Sequence, residues 1–137
     1  MLIGIDASRA VAARPTGTEV YSQRLIQALL ALGGARHHFR LYFRDRPSSH
    51  AFSGAEIRFI PFPRLWTHAR LSWEMGRHQP DTLFVPSHVL PLFHPPASLV
   101  TIHDLGYLHF PEAHPWPQRF YLDLSTRWSA RAAAHIL

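Results

Sequence analysis

The chain has 137 residues, of which 47% are hydrophobic and 17% are charged. This composition is that of one globular domain with a buried core, and it excludes an intrinsically disordered chain. The formal net charge is +5, and the sequence contains arginine but no lysine. Arginine favours anionic ligands or surfaces. The arginines are scattered from Arg9 to Arg131 without a dense patch, so binding of nucleic acid is not predicted.

The sequence favours a cytoplasmic location. It contains no cysteine, which excludes disulfide bonds and thiolate metal sites and fits a reducing compartment. No apolar run approaches the ~18 residues that a membrane-spanning helix needs. The opening apolar segment is interrupted by Asp6 and has no basic leader, so we do not expect a signal peptide.

Strand and helix patterns alternate along the chain. In chain order they predict a strand at 2–6, a helix at 18–33, strands at 39–43 and 57–60, a helix at 65–78, strands at 82–85 and 98–102, and a helix at 115–133. His135-Ile136-Leu137 is typical of the start of one more buried strand. We therefore expect an α/β fold, a Rossmann-like doubly wound parallel sheet. We expect residues 1–137 to form a single domain that is truncated at its last strand.

Each predicted helix has an apolar side, as is typical of helices packed on a sheet. In helix 18–33 this side carries Val20, Leu25, Ala28, Leu29 and Leu32. In helix 65–78 it carries Leu65, Trp66, Ala69, Trp73 and Gly76. In helix 115–133 the apolar residues recur every four positions, at Trp116, Phe120, Leu124 and Trp128, beside a charged stripe of Arg119, Asp123, Arg127 and Arg131.

The start of helix 18–33 is a candidate anion site. Ligands of open parallel sheets bind beyond the carboxyl ends of the strands, and Thr16-Gly17-Thr18-Glu19 lies at such a place. Glycine lets a ligand approach the backbone closely, and free amides at a helix start favour an anion. The alternative is an ordinary helix start with Thr16 or Thr18 as its cap and Glu19 against the helix dipole.

Two further candidates follow predicted strands. His103-Asp104 comes after strand 98–102, where a histidine can bind a hydroxyl or phosphate or move a proton. The carboxylate could accept a hydrogen bond from a sugar hydroxyl; the alternative is a loop histidine followed by a capping aspartate. Ser87-His88 occupies the same kind of position after strand 82–85.

The helix at 65–78 offers a weaker candidate. Trp66-Thr67-His68, with Arg70 and Trp73, could line a sugar or lipid site or contact an anionic membrane. The two tryptophans are one heptad apart, which equally fits a place in the core. The histidines show no spacing that predicts a metal site.

Taken in order, several of these segments resemble the N-terminal half of retaining glycosyltransferases with the GT-B fold, in the family that includes bacterial mannosyl- and glucosyltransferases. The resemblance rests on Ile3-Gly4-Ile5-Asp6-Ala7, on Arg14-Pro15-Thr16-Gly17-Thr18-Glu19-Val20-Tyr21, on Leu83-Phe84-Val85-Pro86-Ser87-His88, on Val100-Thr101-Ile102-His103-Asp104-Leu105, and on the segment 110–131. Relatives often carry a second glycine in the first loop, where this chain has Thr18-Glu19.

The resemblance implies transfer of a hexose from a nucleoside-diphosphate sugar to a glycan or lipid-linked acceptor, with retention and with no cofactor or metal ion. It implies that His103 and Asp104 are catalytic, and that Thr16, Gly17, Thr18 and Glu19 contact the donor phosphates or the acceptor. Ser87 and His88 would contact the acceptor. The sugar nucleotide binds mainly to a C-terminal donor domain in this family, so the resemblance implies that this chain alone does not turn over.

Two other functions stay open. One is a non-catalytic α/β module that binds an anionic carbohydrate or a partner chain. The other is a flavodoxin-like nucleotide binder, although the first loop lacks a compact glycine-rich turn. Because acceptors in the resembled family are often lipid-linked, a peripheral contact with the inner face of the membrane is a further expectation.

Overall fold

The sheet is built from six short strands, and helices cover both of its faces. A computed structural model describes residues 1–12, 15–33, 35–47 and 52–137; Arg14 of the loop motif lies outside the described residues. The strands are β1 (Leu2–Asp6), β2 (His38–Phe43), β3 (Glu56–Phe59), β4 (Thr82–Val85), β5 (Ser98–Val100) and β6 (His135–Ile136). The helices are α1 (Gly17–Gly33), α2 (Ser72–Arg77), α3 (Gly106–His109) and α4 (Trp116–Ala132). A π-helical segment, Trp66–Leu71, leads directly into α2, and a 3₁₀ turn spans Pro111–Ala113.

The strand order is β3-β2-β1-β4-β5-β6, and every pair is parallel. The predicted α/β class and parallel sheet are therefore confirmed, and the arrangement is consistent with a Rossmann-like fold. The order of the strands reverses between β1 and β4, and such a switch point leaves a crevice at the carboxyl ends of the two strands.

The strands match their predicted positions closely because their sequences are short apolar runs. Strands β1 and β4 have the predicted bounds, and β6 pairs with β5 through Ile136 and Val100. The expectation that β6 is buried was wrong, since both of its residues are exposed. Strand β5 ends at Val100 rather than at residue 102, which places His103 three residues into the loop.

Helix α1 buries only part of the predicted apolar side: Leu25 and Leu29 pack, partly buried, against the core. Glu19, Ser22 and Ile26 are its buried residues, whereas Val20 and Leu32 are exposed. Ile26 packs with Ile5, Leu41 and Phe84 in the core on one face of the sheet. The Ser22 hydroxyl donates a hydrogen bond to the Pro86 carbonyl oxygen (3.3 Å), so a small polar side chain takes the place that the periodicity assigned to larger ones.

Helix α4 shows the same departure more strongly. It buries Ser125, Thr126 and Ser129, and its apolar stripe points to solvent. The Ser129 hydroxyl oxygen accepts a hydrogen bond from the Leu90 backbone N–H (2.9 Å). Ser129 thus satisfies a backbone group of the loop after β4, because a buried N–H needs a partner, whereas the Ser125 hydroxyl donates to the Leu122 carbonyl oxygen within α4 (3.2 Å).

The helical segment after β3 also turns differently from its prediction. Trp66 is buried and donates its indole N–H to the Ile60 carbonyl oxygen (2.8 Å), as the core alternative expects. Leu65 and Trp73 are exposed, so the predicted apolar face was wrong at both. The π-helical turn shifts the side chains relative to an α-helix, which the 3.6-residue period cannot anticipate. None of the helices in the described residues is long and apolar enough to cross a membrane.

Candidate ligand-binding cleft

A cleft of about 560 Å³ opens beyond the carboxyl ends of β1 and β2. The loop after β1 forms one wall, and the π-helical segment and α4 form the other. Its lining residues are Ser8, Arg9, Val11, Ala12, Glu19, Arg44, Asp45, Leu65, Trp66, Thr67, His68 and Tyr121. Of the residues predicted for ligand contact, Glu19 and the segment 66–68 lie here; sequence reasoning missed the others.

Glu19 holds the residue that precedes α1. Glu19 accepts hydrogen bonds from the backbone N–H of Thr16 (2.9 Å) and from the Thr16 hydroxyl. The bond from the Thr16 N–H is the glutamate half of a capping box, and it satisfies one backbone donor at the helix start. The hydrogen bond from the Thr16 hydroxyl is the main cause that lowers the pKa of Glu19, so the carboxylate is ionised near neutral pH. The capping alternative for this segment is thereby present in the structure.

Gly17 and Thr18 complete the predicted loop motif. Gly17 is exposed and Thr18 is half-buried. A Cβ atom added to Gly17 meets no atom of the described residues within 4 Å. A ligand could therefore approach this backbone closely, and an alanine there would disturb no described part of the protein.

His103 lies at the centre of a small cluster of rings. The Tyr21 ring meets it edge-on, with centroids 4.9 Å apart, and the His88 ring lies 5.3 Å away. The Tyr21 and Thr101 hydroxyl oxygens are 3.4 Å apart. Helix α1 and the loops after β4 and β5 thus converge on one histidine, although their residues are far apart in sequence.

The contact of His103 with the backbone defines its tautomer. Its Nε2 lies 3.0 Å from the Pro86 carbonyl oxygen, and a carbonyl oxygen only accepts hydrogen bonds. The proton of the neutral ring therefore resides on Nε2, and Nδ1 keeps its lone pair. No hydrogen-bond partner for Nδ1 occurs within the described part of the chain, which leaves this atom able to accept a hydrogen bond from a ligand hydroxyl.

The other residues predicted at the carboxyl edge of the sheet, Ser87, His88 and Asp104, differ in their surroundings. His88 is half-buried, and burial first, then the neighbouring His103, lower its pKa. Ser87 is half-buried in the same loop. Asp104 is exposed, and its Oδ1 accepts a hydrogen bond from the Gly106 N–H (2.9 Å); this is the capping role that the sequence left open as an alternative.

His68 lines the cleft, whereas Ser87, His88, His103 and Asp104 are not among its lining residues. His68 Nε2 and the Tyr121 hydroxyl are 3.0 Å apart, and their rings meet edge-on at 5.9 Å. Burial lowers the pKa of His68 and raises that of Tyr121, so both are neutral near pH 7. The resembling segment 110–131 contains Tyr121, but only the fold shows that it meets a residue 53 positions earlier.

Charges of both signs line the cleft. The guanidinium of Arg9 lies 3.3 Å from Glu19 and its side chain is 62% exposed; Arg44 and its neighbour Asp45 form an exposed pair at 3.1 Å. Two cations and two anions balance, so the cleft offers donors and acceptors together. Within the described residues no group of three side chains is arranged to hold a metal ion.

Comparisons with known proteins give no relatives. No protein-family model matches the chain, and neither a curated protein nor a solved structure shows significant similarity to it.

Proposed function

We propose that this chain is the N-terminal, acceptor-side domain of a retaining glycosyltransferase with the GT-B fold. The reaction would move a hexose from a nucleoside-diphosphate sugar to a glycan or lipid-linked acceptor. The alternative is a non-catalytic module that binds a carbohydrate or a partner chain.

One observation carries the proposal. Three segments that support the resemblance, the first loop with α1, the loop after β4 and the loop after β5, meet around His103. They meet at the carboxyl edge of the sheet beside its switch point, where open α/β folds bind their ligands. Neighbouring parallel strands bring such loops together in open α/β sheets; what supports the proposal is that the side chains that meet here, Tyr21, His88 and His103, belong to the resembled motifs.

His103 has a defined task in this proposal. Its Nε2–H is held by the Pro86 carbonyl (3.0 Å), so Nδ1 accepts a hydrogen bond from a hydroxyl of the transferred sugar or of the acceptor. Orienting two reacting groups in this way is a large part of catalysis for a two-substrate reaction. Asp104 follows His103 in the motif, and we propose that it assists at the same edge.

The cleft suits the acceptor. Arg9, Arg44, Glu19 and Asp45 supply hydrogen-bond donors and acceptors, and the ring of Tyr121 supplies an apolar surface. A saccharide needs this combination, because it presents hydroxyl groups around its edge and C–H groups on its faces. The exposed amides near Gly17 would face the donor phosphates, since helix starts favour anions.

The test is ligand-observed NMR with the full chain. Nucleoside-diphosphate hexoses and neutral or anionic oligosaccharides are offered one at a time at millimolar concentration. We expect saturation transfer to a sugar nucleotide that weakens at least ~10-fold in Gly17→Ala, and transfer to a saccharide that weakens in His103→Gln. His109→Gln, in the exposed turn α3, is the matched control and leaves both signals unchanged.

The outcomes separate the alternatives. Binding of a saccharide that His103→Gln leaves unchanged supports the non-catalytic module. Tight binding of a free ribonucleotide, at micromolar concentration, supports the flavodoxin-like function. If neither class of ligand binds, or if His109→Gln weakens binding as much as His103→Gln, the proposal fails.

A further inference from the structure

Helix α4 exposes a continuous apolar stripe. Trp116 is 67% exposed, Phe120 and Leu124 are each 58% exposed, and Trp128 is 36% exposed. These residues follow one another at intervals of four, so they lie along one side of a helix that is about 25 Å long. The rings of Trp116 and Phe120 stack with centroids 5.7 Å apart. Large apolar side chains aligned on a water-facing side mark an interaction surface.

The stripe ends beside the loop after β4. The Trp128 indole N–H donates a hydrogen bond to the Leu90 carbonyl oxygen (3.2 Å), which joins the end of the stripe to the loop after β4. In that loop Leu92 is 52% and Phe93 is 68% exposed. Phe93 lies beside Trp73 and Arg77, so we restrict the name aromatic face to four residues of α4: Trp116, Phe120, Leu124 and Trp128.

Positive charge borders the aromatic face. Arg119, Arg127 and Arg131 follow one another along α4, and Asp123 is the only acidic residue of the helix. Asp123 is bound to Arg127 (2.8 Å), so the helix carries a net charge of +2 from three arginines and one aspartate. A cationic border complements an anionic partner and disfavours a cationic one.

We propose that the aromatic face binds the surface of an anionic lipid bilayer. Tryptophan and phenylalanine partition into the boundary between headgroups and acyl chains, and arginines beside them contact lipid phosphates. The helix has the apolar side and basic border of helices that lie in this interface. Membrane contact through helix 65–78 stays a separate prediction, and the longer exposed stripe is the one on α4. This inference does not depend on the proposed transferase function.

The test is co-flotation of the full chain with vesicles. One set contains equal parts of phosphatidylglycerol and phosphatidylcholine, and the other contains phosphatidylcholine alone. We expect binding to the anionic vesicles that weakens as salt is raised. Trp116→Ser/Phe120→Ser should weaken it by ~10-fold or more, and its melting temperature should match that of the wild type because both side chains are exposed.

Matched controls separate binding by the aromatic face from non-specific hydrophobic adsorption. Leu32→Ser/Ile57→Ser removes two apolar side chains that are exposed away from α4 and should leave flotation unchanged. Arg127→Gln/Arg131→Gln should weaken binding by about fivefold for each arginine. Arg24→Gln/Arg36→Gln, on and just after α1, should weaken vesicle binding less.

Two results would overturn the proposal. One is flotation that is absent or equal for the two kinds of vesicle. The other is a concentration-dependent dimer, seen by analytical ultracentrifugation, that Trp116→Ser/Phe120→Ser abolishes while vesicle binding is absent. That second result would assign the face to another copy of the chain.

Discussion

Glu19 gives the sharpest test of how the start of α1 is built. Its carboxylate accepts the Thr16 N–H and hydroxyl and lies 3.3 Å from Arg9. Loss of a helix cap costs about 1 kcal/mol, and loss of a negative charge at a helix start costs about 0.3–1 kcal/mol. The ion pair adds little, because the side chain of Arg9 is mostly exposed. Glu19→Ala should therefore lower the free energy of unfolding by about 1.3–2 kcal/mol.

Glu19→Gln separates the hydrogen bond from the charge. The glutamine amide oxygen can still accept the Thr16 N–H, so this variant should lose only about 0.3–1 kcal/mol at pH 7. The pKa of Glu19 is lowered in the folded state, so its stabilising effect is present above the unfolded pKa and is lost as the pH falls through the folded pKa. The difference between wild type and Glu19→Gln should accordingly shrink as the pH is lowered from 6 to about 3.

Urea unfolding followed by circular dichroism measures both variants across this pH range. Unchanged stability in Glu19→Ala would refute the capping argument, as would equal losses for the two variants at every pH. The same variants also test the site. If the carboxylate serves only the helix cap, its removal should strengthen binding of an anion near Gly17, because a negative charge has left the helix start.

Three more changes test the fold. Glu74 is buried between two arginines, so Glu74→Ala should lower the free energy of unfolding in urea by about 2–3 kcal/mol. Asp123→Ala removes an exposed ion pair and should lower it by less than about 0.5 kcal/mol. Equal losses in the two variants would contradict this. A Cβ at Gly4 would lie 2.8 Å from a proline ring, so Gly4→Ala should lower the melting temperature, whereas Gly76→Ala, with nothing within 4 Å, should raise it slightly. Burial raises the pKa of Asp6, so its ionised form opposes folding above that pKa. Asp6→Asn should therefore raise the free energy of unfolding near pH 7 and reduce the decrease in stability that accompanies rising pH. A lower free energy of unfolding at pH 7 in this variant would refute the argument.

The sheet could be predicted because buried strands have a simple signature. Segments such as 2–6 and 82–85 are short, almost wholly apolar runs, and their bounds match the structure. Parallel pairing then follows from the alternation of strands with helices. The carboxyl-edge rule also located His88 and His103, whose rings lie 5.3 Å apart.

The helix faces could not be predicted from hydrophobic periodicity. Ser22 and Ser129 are fully buried, whereas Trp116 and Leu32 are exposed. The buried serines hydrogen-bond to backbone groups of the loop after β4. The spacing of apolar residues along a helix carries no information about such hydrogen-bond partners. The cleft was missed for a related reason. Arg9 carries no motif, and the meeting of His68 with Tyr121 depends on a π-helical turn and on the packing of α4.

The most direct test of the account is to locate the ligand on the protein. Amide and histidine side-chain signals of the isotope-labelled chain are followed while a nucleoside-diphosphate hexose or a saccharide that binds is titrated in. The account predicts saturable shifts at residues 16–19, 87–88 and 103–104, with the unprotonated Nδ1 of His103 moving furthest among the histidine nitrogens. Saturable shifts confined to another surface, such as the apolar groove between α1 and β4, would contradict it, as would a His103 signal that no ligand moves.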